Sequence, residues 1–371
     1  MIEDLSGFPS RELLENSNGV FYLIPLGVIY NYNSENLVKN KLALPLVNKR
    51  FSFCSVKLVI NSSNKYYSFF SSVGDMFKWL EGEDCLIKNE IYSIFNNLNN
   101  SPNTYCGLKI DKPLIMGILN VTPDSFSDGG RYNDFDSAVR HSQNLIDAGA
   151  SIIDVGGEST RPGAIPVDPS VEQERIIPIV KVLSEKGITV SVDTMHASTM
   201  DLALNSGASI INDISALSND KDSVQVIKKN KAFVIMMHMQ GKPLSMQESP
   251  SYGFAEIDVY NFLKSRIEFC QKEGVSRDKI SIDPGIGFGK SQSHNFNILK
   301  NIMLFQMLGL PLVLGVSRKS FVGNLTGVSS PDNRLIGSVS LGLINAIKGV
   351  NILRVHDVIE TNEALKVIDV F

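Results

Sequence analysis

Polar and charged residues follow nearly every apolar run in the chain beyond residue 107. The packing of a buried strand requires none of them, and a single aspartate after a strand is usually a helix cap or a loop bond. Eight successive runs that all end in polar residues indicate one shared chemical site instead. The residues at these run ends are Asn120, Asp154, Asp193, Asn212, Asp213, His238, Asp283, Ser317, Arg318, Lys319, Arg354 and His356.

Four of these residues suit a flat heterocyclic ligand. Asp193 and Asp283 supply carboxylates, Asn212 an amide and Lys319 an ammonium group. Carboxylates accept hydrogen bonds from ring N–H and amino groups, whereas an ammonium donates to a ring carbonyl or nitrogen. The set therefore predicts recognition of a ring with a donor edge and an acceptor edge. A structural salt bridge at the same place is the alternative.

A second group of residues is suited to an anion. Arg354 and His356 end the last apolar run, Asn120 ends the first, and the Ser-Thr-Arg segment at 159–161 follows the second. Arginine binds phosphate oxygens through charge-assisted, often bidentate bonds, so a diphosphate fits this group. A bound Mg²⁺ with oxygen ligands fits the same place, although the sequence shows no dedicated metal cage.

Three glycine-rich or polar loops could complete the site. Ser317 precedes a segment that could open a short helix, where free backbone N–H groups could hold a carboxylate. The loops Thr122–Tyr132 and Gly156–Gly163 could close over a reacting centre, or they could be simple turns. The segment Asp283–Lys290 lacks the GxxxxGK[ST] spacing of a phosphate loop, which excludes an ATPase.

Eight short, almost continuously apolar runs carry these residues, as is typical of parallel strands buried on both faces. The runs are 114–122, 151–157, 188–194, 209–215, 232–238, 279–285, 311–317 and 351–357. Helix-period segments lie at 136–148, 171–186, 198–206, 257–273, 335–348 and 359–370. This alternation predicts an α/β fold, a (β/α)8 TIM barrel over 108–371, whose strand ends form one active-site face. An open doubly wound sheet is the alternative.

The first part of the chain, residues 1–107, has a different amino-acid composition. It is rich in Asn, Ser, Tyr and Phe, and we expect a small α+β accessory domain of unknown role. Alternation predicts strands at 51–60 and 65–72 with a turn between them. Segments 74–80 and 86–98 favour helices, and the polar stretch at 96–103 favours a linker. No phosphate loop, metal cluster or acid pair stands out in it.

Composition limits the class of protein. The chain has 371 residues, of which 43% are hydrophobic and 20% charged, which is ordinary globular usage. A net charge of −4 argues against a nucleic-acid partner. No apolar run reaches the length of about 18–20 residues that spans a membrane. Four cysteines without metal spacing predict reduced, mostly structural thiols, and the N-terminus lacks a signal-peptide profile, so we expect a cytoplasmic protein.

The motifs, taken together and in order, closely resemble those of dihydropteroate synthases, the sulfonamide-target enzymes of folate synthesis. The matching segments are GILNVTPDSFSDGG (117–130), IDVGGESTRPGA (153–164), SVDT (191–194), INDIS (211–215), MMHMQGKPLSMQ (236–247), IDPGIGFGK (282–290), GVSRKSF (315–321) and RVHDV (354–358). The resemblance covers about 108–371, and departures are confined to loops, such as the ALSND segment after INDIS and residues 252–259.

The resemblance implies that 6-hydroxymethyl-7,8-dihydropterin diphosphate condenses with 4-aminobenzoate to give dihydropteroate and diphosphate. It also implies Mg²⁺ and a homodimer. It assigns the pterin to Asp193, Asn212, Asp283 and Lys319, and the diphosphate to Asn120, Thr160, Arg354 and His356, with Asn120 also as the protein's contact to Mg²⁺. It assigns the aminobenzoate to Arg161, Pro162, Phe288 and Ser317. The residues expected to act in catalysis are Asn120, Asp154, Thr160, Arg161, Lys319, Arg354 and His356.

Two rival functions stay open at this point. Pterin-dependent methyltransferase domains share this kind of barrel and its pterin-side carboxylates, but methyl transfer needs neither a diphosphate nor an aminobenzoate site. An inactive pterin-binding protein is the second rival. The polar residues retained at the ends of the eight apolar runs argue against it. The part before residue 108 could be a diverged partner enzyme, a dimerisation element or a structural extension.

Overall fold

The computed structural model describes residues 2–17, 19–30, 32–47, 51–100, 102–121, 130–159 and 163–368. Helices and strands are mixed throughout, and the chain divides into two compact units. The first unit contains the chain up to residue 103 together with 301–310. The second contains 104–300 and 311–370.

The first unit is a mixed sheet with four flanking helices. Its elements are β1 (Ile2–Leu5), α1 (Arg11–Glu15), β2 (Phe21–Tyr30), α2 (Tyr32–Lys39), β3 (Leu44–Leu46), β4 (Phe51–Ser62), β5 (Lys65–Ser72), α3 (Val73–Glu81) and α4 (Cys85–Asn99). The strand order is β1-β5-β4-β2, and β3 also pairs with β4. β1 and β5 pair parallel, while β4 pairs antiparallel with β2, β3 and β5.

The predicted hairpin in this unit is confirmed. β4 and β5 pair antiparallel around a two-residue turn, and both turn residues, Ser63 and Asn64, have positive φ angles of 51° and 63°. Such a turn matches the twist of the paired strands. The predicted linker at 96–103 is wrong in its first half, because α4 continues to Asn99. Leu98 is fully buried there, and Asn97 Nδ2 donates to the Met307 carbonyl at 2.8 Å.

A short hairpin opens the second unit and packs into an apolar cluster. It consists of β6 (Thr104–Tyr105) and β7 (Leu108–Lys109). Tyr105 is 1% exposed among Met116, Ile152 and Ile235, which belong to the same cluster. The Ser281 hydroxyl donates to the Tyr105 phenol oxygen at 3.0 Å, and burial raises the pKa of that phenol. Tyr105 therefore contributes both a large buried apolar surface and a hydrogen bond to Ser281.

We expect Tyr105→Ala to lower the free energy of unfolding by about 3–5 kcal/mol, because a large buried ring leaves a cavity. Tyr105→Phe should lower it by about 1 kcal/mol, since only one hydrogen bond is lost. Urea unfolding of both variants measures the difference. An alanine variant within about 1 kcal/mol of the parent would contradict the packing role.

Eight parallel strands form the barrel of the second unit. They are β8 (Leu114–Asn120), β9 (Ile152–Gly156), β10 (Val190–Asp193), β11 (Ile210–Asp213), β12 (Phe233–Met237), β13 (Ile280–Asp283), β14 (Val313–Leu314) and β15 (Ile352–Val355). Their order is β13-β12-β11-β10-β9-β8-β15-β14. A parallel bridge between Ile282 and Leu312 joins the two ends of this order, so the sheet closes. The predicted (β/α)8 barrel is confirmed, and the open doubly wound alternative is wrong.

The strand register brings the predicted polar residues to one rim. Asp193 pairs with Asn212 on one side and with Gly156 on the other, and Gly156 pairs in turn with Asn120. β15 lies beside β8, as expected for a closed barrel, with Arg354 opposite Met116. The carboxyl ends of the strands, which carry the site in such barrels, therefore hold these side chains.

The helices of this unit are α5 (Gly130–Asp147), α6 (Pro169–Glu185), α7 (Ala197–Asn205), α8 (Ser223–Asn230), α9 (Ala255–Lys272), α10 (Gln292–Lys300), α11 (Ser320–Thr326), α12 (Leu335–Ala346) and α13 (Val358–Ile368). The six predicted helices are present. The sequence patterns did not reveal α8, α10 and α11, which have 8, 9 and 7 residues. Within the described ranges, no helix is long and apolar enough to cross a membrane.

Candidate active site

A single arginine joins two carboxylates at the rim of the barrel. Arg354, near the end of β15, donates from Nε to Asp154 Oδ2 at 2.6 Å and from Nη2 to Asp193 Oδ2 at 2.8 Å. Asp154 is fully buried, Asp193 is 7% exposed, and the arginine side chain is 19% exposed. One guanidinium is therefore shared by two carboxyl groups. Burial alone would lower the pKa of Arg354, but the nearby Asp154 and Asp193 raise it above its ordinary value.

Each of these carboxylates keeps one unsatisfied oxygen. Oδ1 of Asp154 and Oδ1 of Asp193 are buried and have no hydrogen-bond partner among the described residues. Asn212, 5% exposed, donates from Nδ2 to Asp154 Oδ2 at 3.1 Å. Buried acceptors without donors are uncommon in folded proteins and require an explanation. A ligand that presents N–H groups would supply one for Asp193.

The electrostatics of Asp193 differ from those of an exposed aspartate. Burial raises the pKa of its carboxyl to about 7, with further raising by Asp154 and partial lowering by Arg354. Asp193 therefore titrates near neutral pH. Groups whose pKa is displaced by burial next to a specific partner are concentrated at functional sites.

Asp283 and Lys319 bring a second pair of opposite charges to the rim. Asp283 ends β13, accepts from the Gly285 amide at 2.7 Å, and has a pKa raised mainly by burial. Lys319 precedes α11, and its ammonium donates to the Ile286 carbonyl and lies 4.6 Å from the centre of the Phe288 ring. Burial lowers the pKa of Lys319 to about 8, against the opposing effect of Asp283.

Ser317 and His356 form a polar contact between the ends of the last two strands. Ser317 Oγ lies 3.0 Å from His356 Nδ1, and the His356 amide donates to the same oxygen at 3.2 Å. Ser317 precedes a short helix, as the sequence suggested, because α11 begins three residues later at Ser320. Ser317 is 6% exposed, and its hydroxyl is engaged by His356.

An apolar surface adjoins the charged groups. Phe288 and Met239 pack against a cluster of three buried side chains, Met195, Ile214 and Met237. Because the Lys319 ammonium faces the Phe288 ring, the aromatic face borders both the apolar and the charged part of the site. A flat aromatic ligand would find contact area here.

Asn120 ends β8 opposite Gly156 and is partly exposed. Its Oδ1 lies 3.8 Å from the position that a Cβ on Gly156 would occupy. Thr160, Arg161 and Pro162 lie outside the described residues, as does 122–129 of the glycine-bearing loop.

The glycine-rich segment after β13 is a packed loop built around a lysine. Lys290 is 3% exposed, and its Nζ lies 2.8 Å from His238 Nδ1. It also donates to the carbonyls of Gly285 at 2.9 Å and Phe288 at 3.0 Å. Gly285 and Gly289 have φ angles of +69° and +58°, and a Cβ on either would overlap a neighbouring carbonyl. The lysine therefore holds the backbone of its own loop.

One supporting residue escaped the sequence analysis. Glu172 in α6 is fully buried and accepts from the hydroxyls of Thr194 at 3.0 Å and Thr199 at 2.8 Å. Thr194 follows Asp193 directly, so the Glu172 carboxylate fixes the end of β10, where Asp193 lies. Nothing in the spacing of α6 distinguishes Glu172 from exposed glutamates, because its partners come from a different βα unit.

The described residues offer no preformed metal cage. No group of three or more His, Cys, Asp and Glu side chains among them is arranged to hold a metal ion. The four cysteines form no disulfide.

Comparison with known proteins gives consistent matches over the barrel. The family model for pterin binding enzymes matches residues 116–356. Dihydropteroate synthase of Escherichia coli K12 is 44% identical over 263 residues, covering 71% of this chain and 93% of the relative.

Solved structures match the same part of the chain. The Xanthomonas albilineans dihydropteroate synthase with 4-aminobenzoic acid is 40% identical, with a TM-score of 0.69, and covers 73% of this chain and 98% of that one. The same enzyme in complex with 7,8-dihydropteroate is 37% identical, with a TM-score of 0.65, and covers 71% and 95%.

Proposed function

Because this chain belongs to the dihydropteroate synthase family, we propose that its rim residues condense 6-hydroxymethyl-7,8-dihydropterin diphosphate with 4-aminobenzoate. The products are 7,8-dihydropteroate and diphosphate. The chain is a transferase of the pterinylmethyl group. The observation that carries the assignment of residues is the pair of buried carboxylates around Arg354, each with one unsatisfied oxygen.

The pterin ring binds between the carboxylates and the ammonium group. Asp193 and Asp283 accept from its N–H and amino groups, Asn212 orients the neighbouring acceptor, and Lys319 donates to its carbonyl or ring nitrogen. The orphan Oδ1 of Asp193 and the burial of Asp283 support this placement, since a bound donor edge would satisfy both. Asp154 accepts hydrogen bonds from both Arg354 and Asn212, and so fixes the positions of these two side chains.

The diphosphate binds on the side of β15 and β8. Arg354 and His356 contribute positive or donor groups, and Asn120 and Thr160 contribute an amide and a hydroxyl. The residues fit a Mg²⁺ that arrives with the diphosphate, because Mg²⁺ is usually held by substrate phosphates, water and one or two protein oxygens. The Asn120 amide oxygen would hold it, and the ion would neutralise charge on the leaving diphosphate.

The aminobenzoate binds against the outer loops. Phe288 offers a ring face beside the Lys319 ammonium, and Ser317 lies on the same side of the rim. Arg161 and Pro162 complete this pocket by supplying a guanidinium for the carboxylate and an apolar wall. The arylamine is neutral near pH 7, so no strong general base is needed.

The reaction is a dissociative substitution at the pterin methylene. The C–O bond to the diphosphate breaks, and its electron pair leaves with the diphosphate oxygen. The electron-rich dihydropterin, held by the Asp193 and Asp283 carboxylates, stabilises the developing cation. The amine nitrogen then forms the C–N bond and loses a proton to solvent. Positioning and charge stabilisation supply the catalysis.

The pH profile of kcat/KM for the pterin substrate is expected to be bell-shaped. Asp193, with a pKa raised to about 7, accepts from the pterin only above that pH, when it is ionised. Lys319, with a pKa lowered to about 8, donates fully only below that pH. Steady-state rates between pH 5.5 and 9.5 measure both limbs. A flat profile across pH 6–9 would contradict the assignment of these two groups.

We propose that the enzyme is a homodimer joined through α12 and α13. Ile336 and Ile344 are 81% and 47% exposed on one face of α12, and Ile359 and Val367 are 57% and 59% exposed on α13. Exposed apolar side chains on two helices that pack together are typical of an interaction surface. Sedimentation equilibrium should give a dimer for the parent and a monomer for Ile336→Asp, whereas Leu202→Asp on α7 serves as the control. A monomeric parent would contradict the proposal.

The reaction itself is tested by product analysis. The purified chain is incubated with the pterin diphosphate, 4-aminobenzoate and Mg²⁺, and dihydropteroate is quantified by chromatography. We expect formation that requires both substrates and is lost on chelation of Mg²⁺. Tight pterin binding without product would favour the inactive binding protein, and methyl transfer from a methylated pterin would favour the methyltransferase.

A further inference from the structure

Arg318 stands between two rim residues, Ser317 and Lys319, but its side chain contacts acidic groups on other segments. Its Nε and Nη2 donate to the two carboxylate oxygens of Asp357 at 3.1 and 2.5 Å, which is a bidentate pair. Nη1 donates to Asp332 at 2.9 Å. Asp357 is 9% exposed and Asp332 is 83% exposed, so the inner contact is the shielded one.

The backbone of Arg318 is held as firmly as its side chain. Its φ angle is +58°, a left-handed conformation that few residues with a branched or long side chain adopt. Its amide donates to Ser338 Oγ at 2.9 Å, and its carbonyl accepts from Arg334 Nη1 at 2.9 Å. Strained conformations persist where the surroundings determine them in this way, and they concentrate at functional sites.

The pair connects the loops that carry two groups of the reaction. Arg318 is bonded directly to Lys319, and Asp357 is bonded directly to His356. The contact between Ser317 and His356 lies one residue away on both segments, so two adjacent links join the ends of β14 and β15. A shift of either loop would move Lys319 and His356 together.

Direct substrate binding by Arg318 does not fit this geometry. All three nitrogen atoms of its guanidinium are engaged by Asp357 and Asp332. An anionic ligand would have to displace a bidentate carboxylate from a partly buried place, which is a strong charge-assisted interaction. The arginine therefore acts through its neighbours.

We propose that Arg318 and Asp357 are a positioning pair, which fixes Lys319 against the pterin and His356 against the diphosphate. The inference rests on the function proposed above. It extends that function to two residues that touch neither substrate.

The test uses five variants of the full chain. Arg318→Asn removes the guanidinium but tolerates the left-handed backbone, and Asp357→Asn keeps the shape of the carboxylate. The third variant combines both changes. Asp332→Asn is the matched control, because it contacts the same guanidinium from the solvent side. Readouts are kcat, KM for each substrate, and the thermal midpoint.

We expect Arg318→Asn and Asp357→Asn, the two inner variants, each to lose about 100-fold in kcat, since small displacements of reacting groups have effects of that size. The double variant should be no worse than either single variant, and Asp332→Asn should stay within about twofold of the parent. Arg318→Lys should recover only part of the rate, because a lysine keeps the charge but not the bidentate geometry.

Two outcomes overturn the proposal. One is a parent-like kcat at 25 °C in both inner variants with only a lower thermal midpoint, which is what a purely structural role gives. The other is a double variant whose loss is the product of the single losses, which would mean that the residues act separately. Absence of turnover in the parent is a different result, because it would contradict the proposed function itself.

Discussion

Arg354→Met is expected to lower kcat/KM by about 1,000-fold or more, the largest effect of any single change at the rim. The substitution keeps the apolar stem but removes the guanidinium from between Asp154 and Asp193, where it makes contacts of 2.6 and 2.8 Å. The leaving diphosphate loses its strongest charge partner in the same step. Steady-state kinetics with both substrates measures the loss.

Stability provides a second readout of the same variant. Breaking a buried ion pair leaves uncompensated charge and lowers the free energy of unfolding by about 3–5 kcal/mol. The Asp193 carboxyl, whose pKa is raised to about 7 by burial, escapes this penalty when it is protonated, so the loss should grow as the pH rises from 6 to 8. Arg140→Met, at an exposed arginine of α5, is the control. A loss below tenfold in kcat/KM, or a destabilisation that is independent of pH, would contradict the shared ion pair.

Asp193→Asn is expected to weaken binding of the pterin substrate by about 100-fold or more. The amide has the shape of the carboxylate, but it presents a donor where the pterin requires an acceptor, and it loses the charge that pairs with Arg354. The acidic limb of the pH profile near pH 7 should disappear with it, because the group that titrates there is gone. Equilibrium binding of the pterin diphosphate measures the affinity.

A matched control for this prediction is Asp201→Asn, which removes a carboxylate that pairs with Lys229 on the outer helices. That variant should bind the pterin like the parent. If Asp193→Asn also retained parental affinity, the pterin would have to bind elsewhere, and the assignment of Asp283 and Lys319 would be in doubt as well.

The barrel was predictable because its strands are buried on both faces, and this leaves a continuous apolar signature in segments such as 151–157. The first unit was less predictable. β2 contains Pro25 and Gly27, which argue against a central strand, but β2 lies at the edge of its sheet, where proline is tolerated. β1 has four residues and pairs with β5, more than sixty positions away, so no local pattern reveals it.

The location of the site was also predictable, since strand ends in a barrel share one rim. Its internal contacts were not. Arg354 pairs with Asp154 and Asp193, 200 and 161 positions away, and the choice between a free arginine and a paired one depends on distances that only the closed barrel sets. The inward direction of Lys290 depends on the carbonyls of its own loop, which the sequence does not display.

The most direct test of the account is release of diphosphate by the purified parent chain, given the pterin diphosphate and Mg²⁺, with and without 4-aminobenzoate. We expect release that depends on aminobenzoate and equals the dihydropteroate formed, and that falls to near background in Arg354→Met. Release that neither responds to aminobenzoate nor changes in Arg354→Met would contradict it, because the rim described here would then not carry the reaction.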